Sequence, residues 1–514
     1  MLVKSVTLLG IATLITKLSG FGREMALAAF YGAGTNTDAF ILAITIQDVL
    51  FSFITLSIVA SFIPMYHRVD NKTNYVRNIM TSLLVFGLLI SLIVTIFPHI
   101  VIRAFAFSIP IETFELSVFF VRYTVWAFVF LIITEIYSAQ LEIHSKFFFV
   151  GVRTVWTNCI VILGIVLGSL FEYNLILAVS PLVGSLLSMI FLASRCKKIN
   201  YTYRPYINPD ELKQILIISS PVFISAAIAQ INIIINRNFA AILPEGTISY
   251  LHYSLKVTTL ISALFGQSFF TVLYPRMSKM VADSDLTKLK ETLMRGAMFL
   301  FVIIVPLSAA VFVFAQPIIR ILFQRGAFNS YDTLRTASAL RMYALLVFSG
   351  SLLPLFQRAF FALRETKIPA ISSIVAVIFG IIMRVVLIGP LGAEGLALAG
   401  SLGTTMSMTL LIIFLSRKLG GLGLKSYISD ILKISLVAVF VGACIWFLLE
   451  FLPMQEMSIW LTIIVCFALF IMAVIVYCLS LILFKCKTLI DFINSIKNAF
   501  ISILKKRRVK KEES

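Results

Sequence analysis

Acidic residues, histidines and long polar connections are what this 514-residue chain is short of. It carries 24 Asp and Glu against 43 Lys and Arg, four His and six Cys, and charged residues make up only 13% of it. No HExxH, P-loop Gly-Lys-Ser/Thr or Rossmann glycine pattern occurs, so zinc hydrolysis, ATP as a power source and dinucleotide chemistry lack their usual residues, and no cofactor or metal is expected. Cys159, Cys196, Cys444, Cys466, Cys478 and Cys486 show no metal-ligand spacing and read as small apolar residues rather than a disulfide set. No connection between apolar segments is long enough to fold as a catalytic domain, which argues against a membrane-bound glycosyltransferase or polymerase; no enzyme is expected. A cleavable signal peptide is not evident, because the first apolar stretch outruns a usual h-region and is interrupted by Lys17, Arg23 and Glu24.

What is present is apolar: 60% of the residues are hydrophobic and the mean hydropathy is +1.01. A span needs roughly 20 apolar residues to cross a core of ~30 Å. Candidates fall near 6–30, 38–65, 77–100, 115–141, 149–170, 173–194, 213–242, 247–274, 296–318, 334–357, 368–388, 394–416, 428–451 and 457–484. The expectation is an all-α integral membrane protein with about 14 transmembrane helices and both termini on one side. The connections at 66–77, 141–153, 195–213, 276–295, 358–367 and 417–425, with Lys4 and the segment from Lys485 onward, hold 31 of the 43 basic residues. The opposite connections hold five, Arg103, Arg320, Arg325, Arg335 and Arg341. Cytoplasmic loops carry the basic excess, so both termini are expected in the cytoplasm of a bacterial cell membrane. The net charge of +19, concentrated in short loops and the tail KKRRVKK at 505–511, points to anionic lipid headgroups and not to nucleic acid.

The two halves echo each other. Gly-Thr at 34–35 leads to SFIPMYHR at 61–68, and Gly-Thr at 246–247 leads to VLYPRMSK at 272–279, placing Pro64 and Pro275 at equivalent span ends. A weaker pair is RYTVWAFVF at 122–130 with RMYALLVFS at 341–349. Duplicated bundles are a common transporter plan. The repeats predict two six-helix lobes, 1–195 and 213–418, around a central cavity that opens to alternate sides. Transmembrane helices 13 and 14 at 427–485 and a basic tail at 486–514 are then additions.

Charges inside the spans are the functional candidates, since a charge in hydrocarbon costs roughly 2.5 to 3.5 kcal/mol or more and such residues usually line a wet cavity. Lys17, Arg23, Asp38, Arg237 and Lys256 form the expected substrate-binding set, with Glu24, Asp48 and Arg384 supporting it. Gly20 and Gly22, between Lys17 and Arg23, suggest a bend or a close helix contact. A cavity so lined is net cationic and suits phosphate, which guanidinium and ammonium groups grip through charge-assisted hydrogen bonds. Glu24 and Asp38 would clamp the basic side chains or trade protons.

The run KLSGFGREMALAAFYGAGTNTDAF at 17–40, SFIPMY at 61–66, LFQRGAF at 322–328, QRAFFALRETKIP at 357–369 and IGPLGAEGLALA at 388–399 together resemble the MurJ (MviN) family of the multidrug/oligosaccharidyl-lipid/polysaccharide exporter superfamily. The resemblance covers about residues 1 to 480. It implies a lipid II flippase for peptidoglycan synthesis, with a cationic cavity for the diphosphate and sugar head of an undecaprenyl-diphosphate-linked substrate. It also implies an apolar groove by spans 13 and 14 for the polyprenyl tail, and brings in cell-wall synthesis proteins as candidate partners. Arg23 and Asp38 match functional positions of the family; Lys17 and Lys256 stand where Arg is usual. Gln47, Asp48 and Phe51 replace a Pro-Asn-x-x-Arg stretch, so one basic residue is missing. Thr259 stands where some members have Glu, Arg384 where Asn is common, and Arg237 adds a cation. Arg384 could take the place of a bound cation. A flippase for another polyprenyl-linked saccharide, of a capsule, exopolysaccharide or wall glycan, is the alternative that the missing base favours. A cation-coupled drug exporter fits less well, because those favour acidic cavities.

The orientation is directly testable. In a variant whose native cysteines are replaced, a cysteine at position 245 should react with an impermeant maleimide from outside the cell, and one at 198 only after the cytoplasmic face is opened. Labelling of position 245 from the cytoplasmic face alone would reverse the assignment.

Overall fold

The computed structural model of the chain describes residues 2–197, 204–454 and 456–494, and among these no strand occurs. The principal helices are α1 (Leu2–Tyr31), α2 (Thr35–Tyr66), α3 (Lys72–Ile96), α4 (Pro98–Phe105), α5 (Ile111–Thr124), α6 (Ala127–Ile143), α7 (Phe147–Leu170) and α8 (Asn174–Lys197). They continue with α9 (Pro209–Ala241), α10 (Thr247–Ala282), α11 (Leu286–Val313), α12 (Ala315–Phe323), α13 (Ser330–Ala362), α14 (Lys367–Lys418), α15 (Ile428–Glu450) and α16 (Ile459–Leu483). Lys198 and residues 495–514, most of the expected basic tail, lie outside the described residues.

These helices accommodate the fourteen expected spans. Among the described residues eight of them, α3, α7, α8, α11, α13, α14, α15 and α16, are individually long and apolar enough to cross a membrane, and α5 with α6, bent by 42° at a short break, gives a ninth when taken as one span. The expected spans 1, 2, 7 and 8 fall on α1, α2, α9 and α10. At 1.5 Å per residue α14 would extend ~78 Å, far beyond one bilayer core. It divides at Gly392, whose φ of 54° and ψ of −124° lie outside the helical region, and so supplies two spans. The short helices α4 and α12 were not anticipated; α4 starts on Pro98, whose fixed φ and missing N–H suit a first turn. Surface chemistry agrees with a bilayer: the most apolar window of α16 has a mean hydropathy of 3.0 and only 6% of it is buried. Water would not tolerate so large an apolar face.

The chain divides into two compact units, Met1–Tyr253 with Phe323–Thr333, and Ser254–Leu322 with Leu334–Ser514. The boundary falls inside α10. In the first unit small residues bring backbones together, as membrane helices require when apolar burial supplies no preference over lipid. A Cβ on Gly151 would lie 2.6 Å from that of Ala12, and one on Gly164 would lie 2.2 Å from that of Ser180, so α7 touches α1 on one side and α8 on the other. Thr16 donates from Oγ1 to the Gly151 carbonyl at 2.5 Å in the same contact. Phe62, Tyr75, Phe128 and Ile132 form an apolar core among α2, α3 and α6. Asn78 of α3 pairs both ways with the backbone of Asn208, which caps α9.

The second unit has two apolar clusters. One gathers Met277, Leu293, Leu355, Phe360 and Leu411. The other joins α11 to α15 and α16 through Val302, Ile434, Val441 and Leu481. The Tyr477 hydroxyl donates to the Val302 carbonyl at 2.9 Å, and Arg320 ties α12 to the start of α16 through the Met457 carbonyl at 2.6 Å and Thr462 Oγ1 at 3.0 Å.

The LFQRGAF motif is a docking loop of the first unit. Gly326 has φ of +58° and an added Cβ would sit 2.1 Å from the Ala29 carbonyl oxygen; the next amide, of Ala327, donates to that same oxygen at 2.8 Å. A side chain here meets both the left-handed backbone cost, about 1 to 3 kcal/mol, and a backbone clash. Gly326→Ala is therefore expected to lower the thermal unfolding temperature of the purified protein in detergent. An unchanged melting curve would show that the loop does not stabilise the end of α1.

Candidate functional site

Two helices that begin at the repeated Gly-Thr are capped by each other's carboxylates. Asp38, in the first turn of α2, is buried and accepts from the amides of Gly246 and Ser249 at 2.8 Å each, and from the Ser249 hydroxyl. Those donors belong to the start of α10, where backbone N–H groups have no partner within the helix. In return Glu245, just ahead of α10, accepts from the Thr35 amide at 2.6 Å and from the Thr35 hydroxyl at the start of α2. The aromatic residues of the docking loop close over this junction: Tyr253 lies 5.0 Å from Phe323 and 5.8 Å from Phe328 between ring centroids, and its hydroxyl donates to the Gly32 carbonyl at 3.2 Å. Tyr250 donates to Asp332 at 3.0 Å in the same place.

Beside this junction lies a cavity of about 200 Å³ whose wall includes Arg23, Glu24, Gln47, Asp48, Phe51 and His252. Arg23 Nη2 donates to Glu24 Oε1 at 2.7 Å, and the other carboxylate oxygen, Oε2, lies 3.0 Å from His252 Nε2. On the far side of that ring, Nδ1 stands 3.4 Å from Arg237 Nη2. A guanidinium carries donors only, so this geometry makes Nδ1 the acceptor and puts the ring proton on Nε2, directed at Glu24. A continuous chain Arg23–Glu24–His252–Arg237 thus joins α1, α10 and α9. Arg23 keeps 24% of its side-chain surface exposed while Glu24 keeps 3%, so of the two wall residues Arg23 is the more open to the cavity. Among the described residues the wall carries one guanidinium, Arg23, against two carboxylates, Glu24 and Asp48, so this wall by itself is not the net cationic surface expected from sequence, because Lys17, Arg237, Lys256 and Arg384 do not line it.

Of the residues expected from sequence, the structure brings Arg23, Glu24 and Asp48 onto one wall and links Arg237 to them through His252. Lys17 is partly exposed on α1 and does not line that wall. Asp38 is committed to the α10 amides and does not line the cavity. Lys256, half-buried, and Arg384, 3% exposed, belong to the second unit. Phe51 does line the wall, so the base missing there is missing from the cavity surface. At Gly20 the close-contact alternative is realised, with an added Cβ 3.5 Å from Asn158 Nδ2 of α7, and α1 continues unbroken through both glycines. His252 was not anticipated. Its rarity was the available signal, one of four histidines in the chain and one helical turn ahead of Lys256.

The second unit holds an apolar cavity of about 280 Å³, lined from α11, α15 and α16 by residues such as Val302, Pro306, Val441, Gly442, Phe470 and Val474. Among the described residues nothing charged lines it.

The family model described as lipid II flippase MurJ matches residues 27–481. The chain belongs to the lipid II flippase MurJ family. Lys17, Arg23 and Glu24 precede the matched region, so their placement rests on the geometry above. A probable lipid II flippase MurJ of Buchnera aphidicola is 27% identical over 475 residues, covering 89% of this chain and 91% of that protein. The lipid II flippase MurJ of Burkholderia cenocepacia is 26% identical over 423 residues, 79% of this chain and 82% of that protein. Among solved structures, a lipid II flippase MurJ in an inward closed conformation shares the fold, with a TM-score of 0.78 at 23% identity over 93% of this chain and all of that one. An inward-facing multidrug resistance MATE transporter of the MOP superfamily shares it more loosely, with a TM-score of 0.62 at 15% identity over 81% of this chain and 98% of that one. The chain is a multi-span membrane protein of a transporter family.

The capping role of Asp38 has a measurable consequence. Asp38→Ala strands two amides and a hydroxyl at a buried helix start, at a cost of roughly 1 to 3 kcal/mol. Thermal unfolding should shift down clearly for Asp38→Ala and less for Asp38→Asn, which keeps one acceptor oxygen. Wild-type stability of the alanine variant would remove Asp38 from the junction.

Proposed function

We propose that the chain carries lipid II from the cytoplasmic to the outer leaflet of the bacterial inner membrane by alternating access, supplying peptidoglycan synthesis, with both termini in the cytoplasm. The observation that carries the reading is Arg23, presented at a cavity wall beside a buried carboxylate in a chain that belongs to the lipid II flippase family. A diphosphate entering this wall exchanges water for guanidinium bonds, each charge-assisted and worth roughly 1.5 to 3 kcal/mol. In this reading Arg23 and Arg237 bind the head group, with Lys17 and Lys256 adding charge from the two repeat-related lobes, 1–195 and 213–418. Asp38 contributes by fixing α10 and with it His252, and Glu24, Asp48 and Arg384 hold the field of the cavity. The apolar cavity at α11, α15 and α16 suits a stretch of polyprenyl chain, because it offers only dispersion and no hydrogen bond. Cell-wall synthesis proteins that consume the translocated precursor are the candidate partners.

Phe51 supports a second reading, a flippase for a different polyprenyl-linked saccharide, since it puts an apolar ring on the wall where the resembling family has a base.

The deciding experiment is rescue of a strain depleted of its lipid II flippase. Wild type should restore growth, Arg23→Ala should insert normally and fail, and Arg23→Lys should retain partial function because it keeps charge and loses the planar fork. Failure of well-expressed wild type, with partial rescue by Phe51→Arg, would select the other saccharide. Full rescue by Arg23→Ala would reduce Arg23 to a structural charge.

A further inference from the structure

An arginine and a carboxylate left to themselves tend to pair through two parallel bonds, which satisfies both partners and removes the guanidinium from other anions. Arg23 and Glu24 do not pair that way. Glu24 gives only Oε1 to Arg23, at 2.7 Å, while Oε2 is taken by His252 Nε2 at 3.0 Å. The direction of the ring bond is imposed from behind, because Arg237 Nη2 faces Nδ1 at 3.4 Å and can only donate. The ring itself is held in place: His252 packs edge-on against Tyr253 at 6.0 Å, and Tyr253 is fully buried under Phe323 and Phe328. Glu24 is thereby shared between two donors on opposite sides, and Arg23 remains the exposed member of the trio.

We propose that His252 is a positioning residue for the head-group site: by holding one oxygen of Glu24 it restricts that carboxylate to a single bond with Arg23 and leaves the rest of the guanidinium fork to the phosphates of the cargo. The proposal rests on the head-group reading above. Arg237 takes part indirectly, since it selects the tautomer that makes His252 a donor toward Glu24. Asp48 on the same wall does not replace this function, because it is a further acceptor and cannot hold Glu24 in place.

The test uses the full chain in lipid nanodiscs, with inorganic pyrophosphate as the probe and equilibrium dialysis as the readout. Removing the ring in His252→Ala frees Glu24 to turn both oxygens on Arg23, and pyrophosphate affinity should fall about tenfold, the worth of one charge-assisted bond. His252→Leu, which fills the ring's space without a donor, should behave alike. His252→Gln keeps an N–H and should stay within about threefold of wild type. Adding Glu24→Gln to His252→Ala should restore binding, because an amide cannot neutralise Arg23; a merely structural histidine would show no such rescue. Wild-type affinity in His252→Ala, absence of rescue by Glu24→Gln, or failure of both truncations to fold would overturn the proposal. Binding by wild type that does not change in Arg23→Ala would instead remove the head-group reading itself, whatever His252 does.

Discussion

The exchange of carboxylate caps between the starts of α2 and α10 is the constraint on which the described site depends. A buried helix start leaves amides that neither lipid nor apolar side chains can satisfy, and each unsatisfied group costs more than an ordinary hydrogen bond contributes. Asp38 and Glu245 meet that demand across the chain, 208 and 210 residues from the amides they accept from. Their geometry fixes the axial position and rotation of the first turns of α10. Tyr250, His252 and Tyr253 then point to three different partners within one turn: Asp332, Glu24 and the Gly32 carbonyl. The docking loop at 323–333 joins the first unit for the same reason, because the Ala327 amide and the two phenylalanine rings find their partners there.

Placing ionic groups next to such a junction changes what they can do. In a low-dielectric setting an isolated charge is expelled, and a charge with a complete set of partners is inert toward ligands. The chain from Arg23 through Glu24 and His252 to Arg237 avoids both outcomes. Glu24, nearly inaccessible, is satisfied on both oxygens, whereas Arg23 donates to it through Nη2 and stays partly open to the cavity. The ring between a carboxylate and a guanidinium lets two cations stand near one buried anion.

Hydropathy made the spans legible, because the bilayer imposes a length on each and the chain has few charges to blur it. Some helix ends agree closely, as with 213–242 expected and Pro209–Ala241 found, whereas the span expected at 296–318 is found as Leu286–Val313. The bend between α5 and α6 was not legible: no proline or glycine lies between Thr124 and Ala127, and the Val125 carbonyl at the break accepts from the Ser91 hydroxyl of α3, 34 residues away in sequence. Nor was the short α12, which begins in the last residues of the expected span 296–318, runs on into the connection after it, and is held by Arg320 reaching the start of α16. At the site, Arg23, Glu24 and Asp48 were visible because charge inside an apolar run is conspicuous. The role of Asp38 was not, since its partners lie in another helix and no local pattern points to them. His252 was missed for a related reason: a single histidine in a helix has no periodicity, and its meaning comes wholly from the two charged side chains on either side.

These placements separate what the recognisable motifs encode from what selects a cargo. Thr37 and Asp38 of the TDAF stretch and Gly326 of LFQRGAF are engaged with backbone: Thr37 with the Gly32 carbonyl, Asp38 with the α10 amides, Gly326 against Ala29. Such positions tolerate little change whatever is transported, so they carry the family resemblance and say little about the substrate. Residues on the cavity wall face open space as well as protein. Phe51, Gln47 and Asp48 occupy one turn of α2 facing Arg23, and substitution there alters the field and shape met by a sugar diphosphate without disturbing the caps at the helix starts. Differences in head group among relatives of this fold should therefore be sought in that turn of α2 and at His252, and not in the motifs by which the family is recognised.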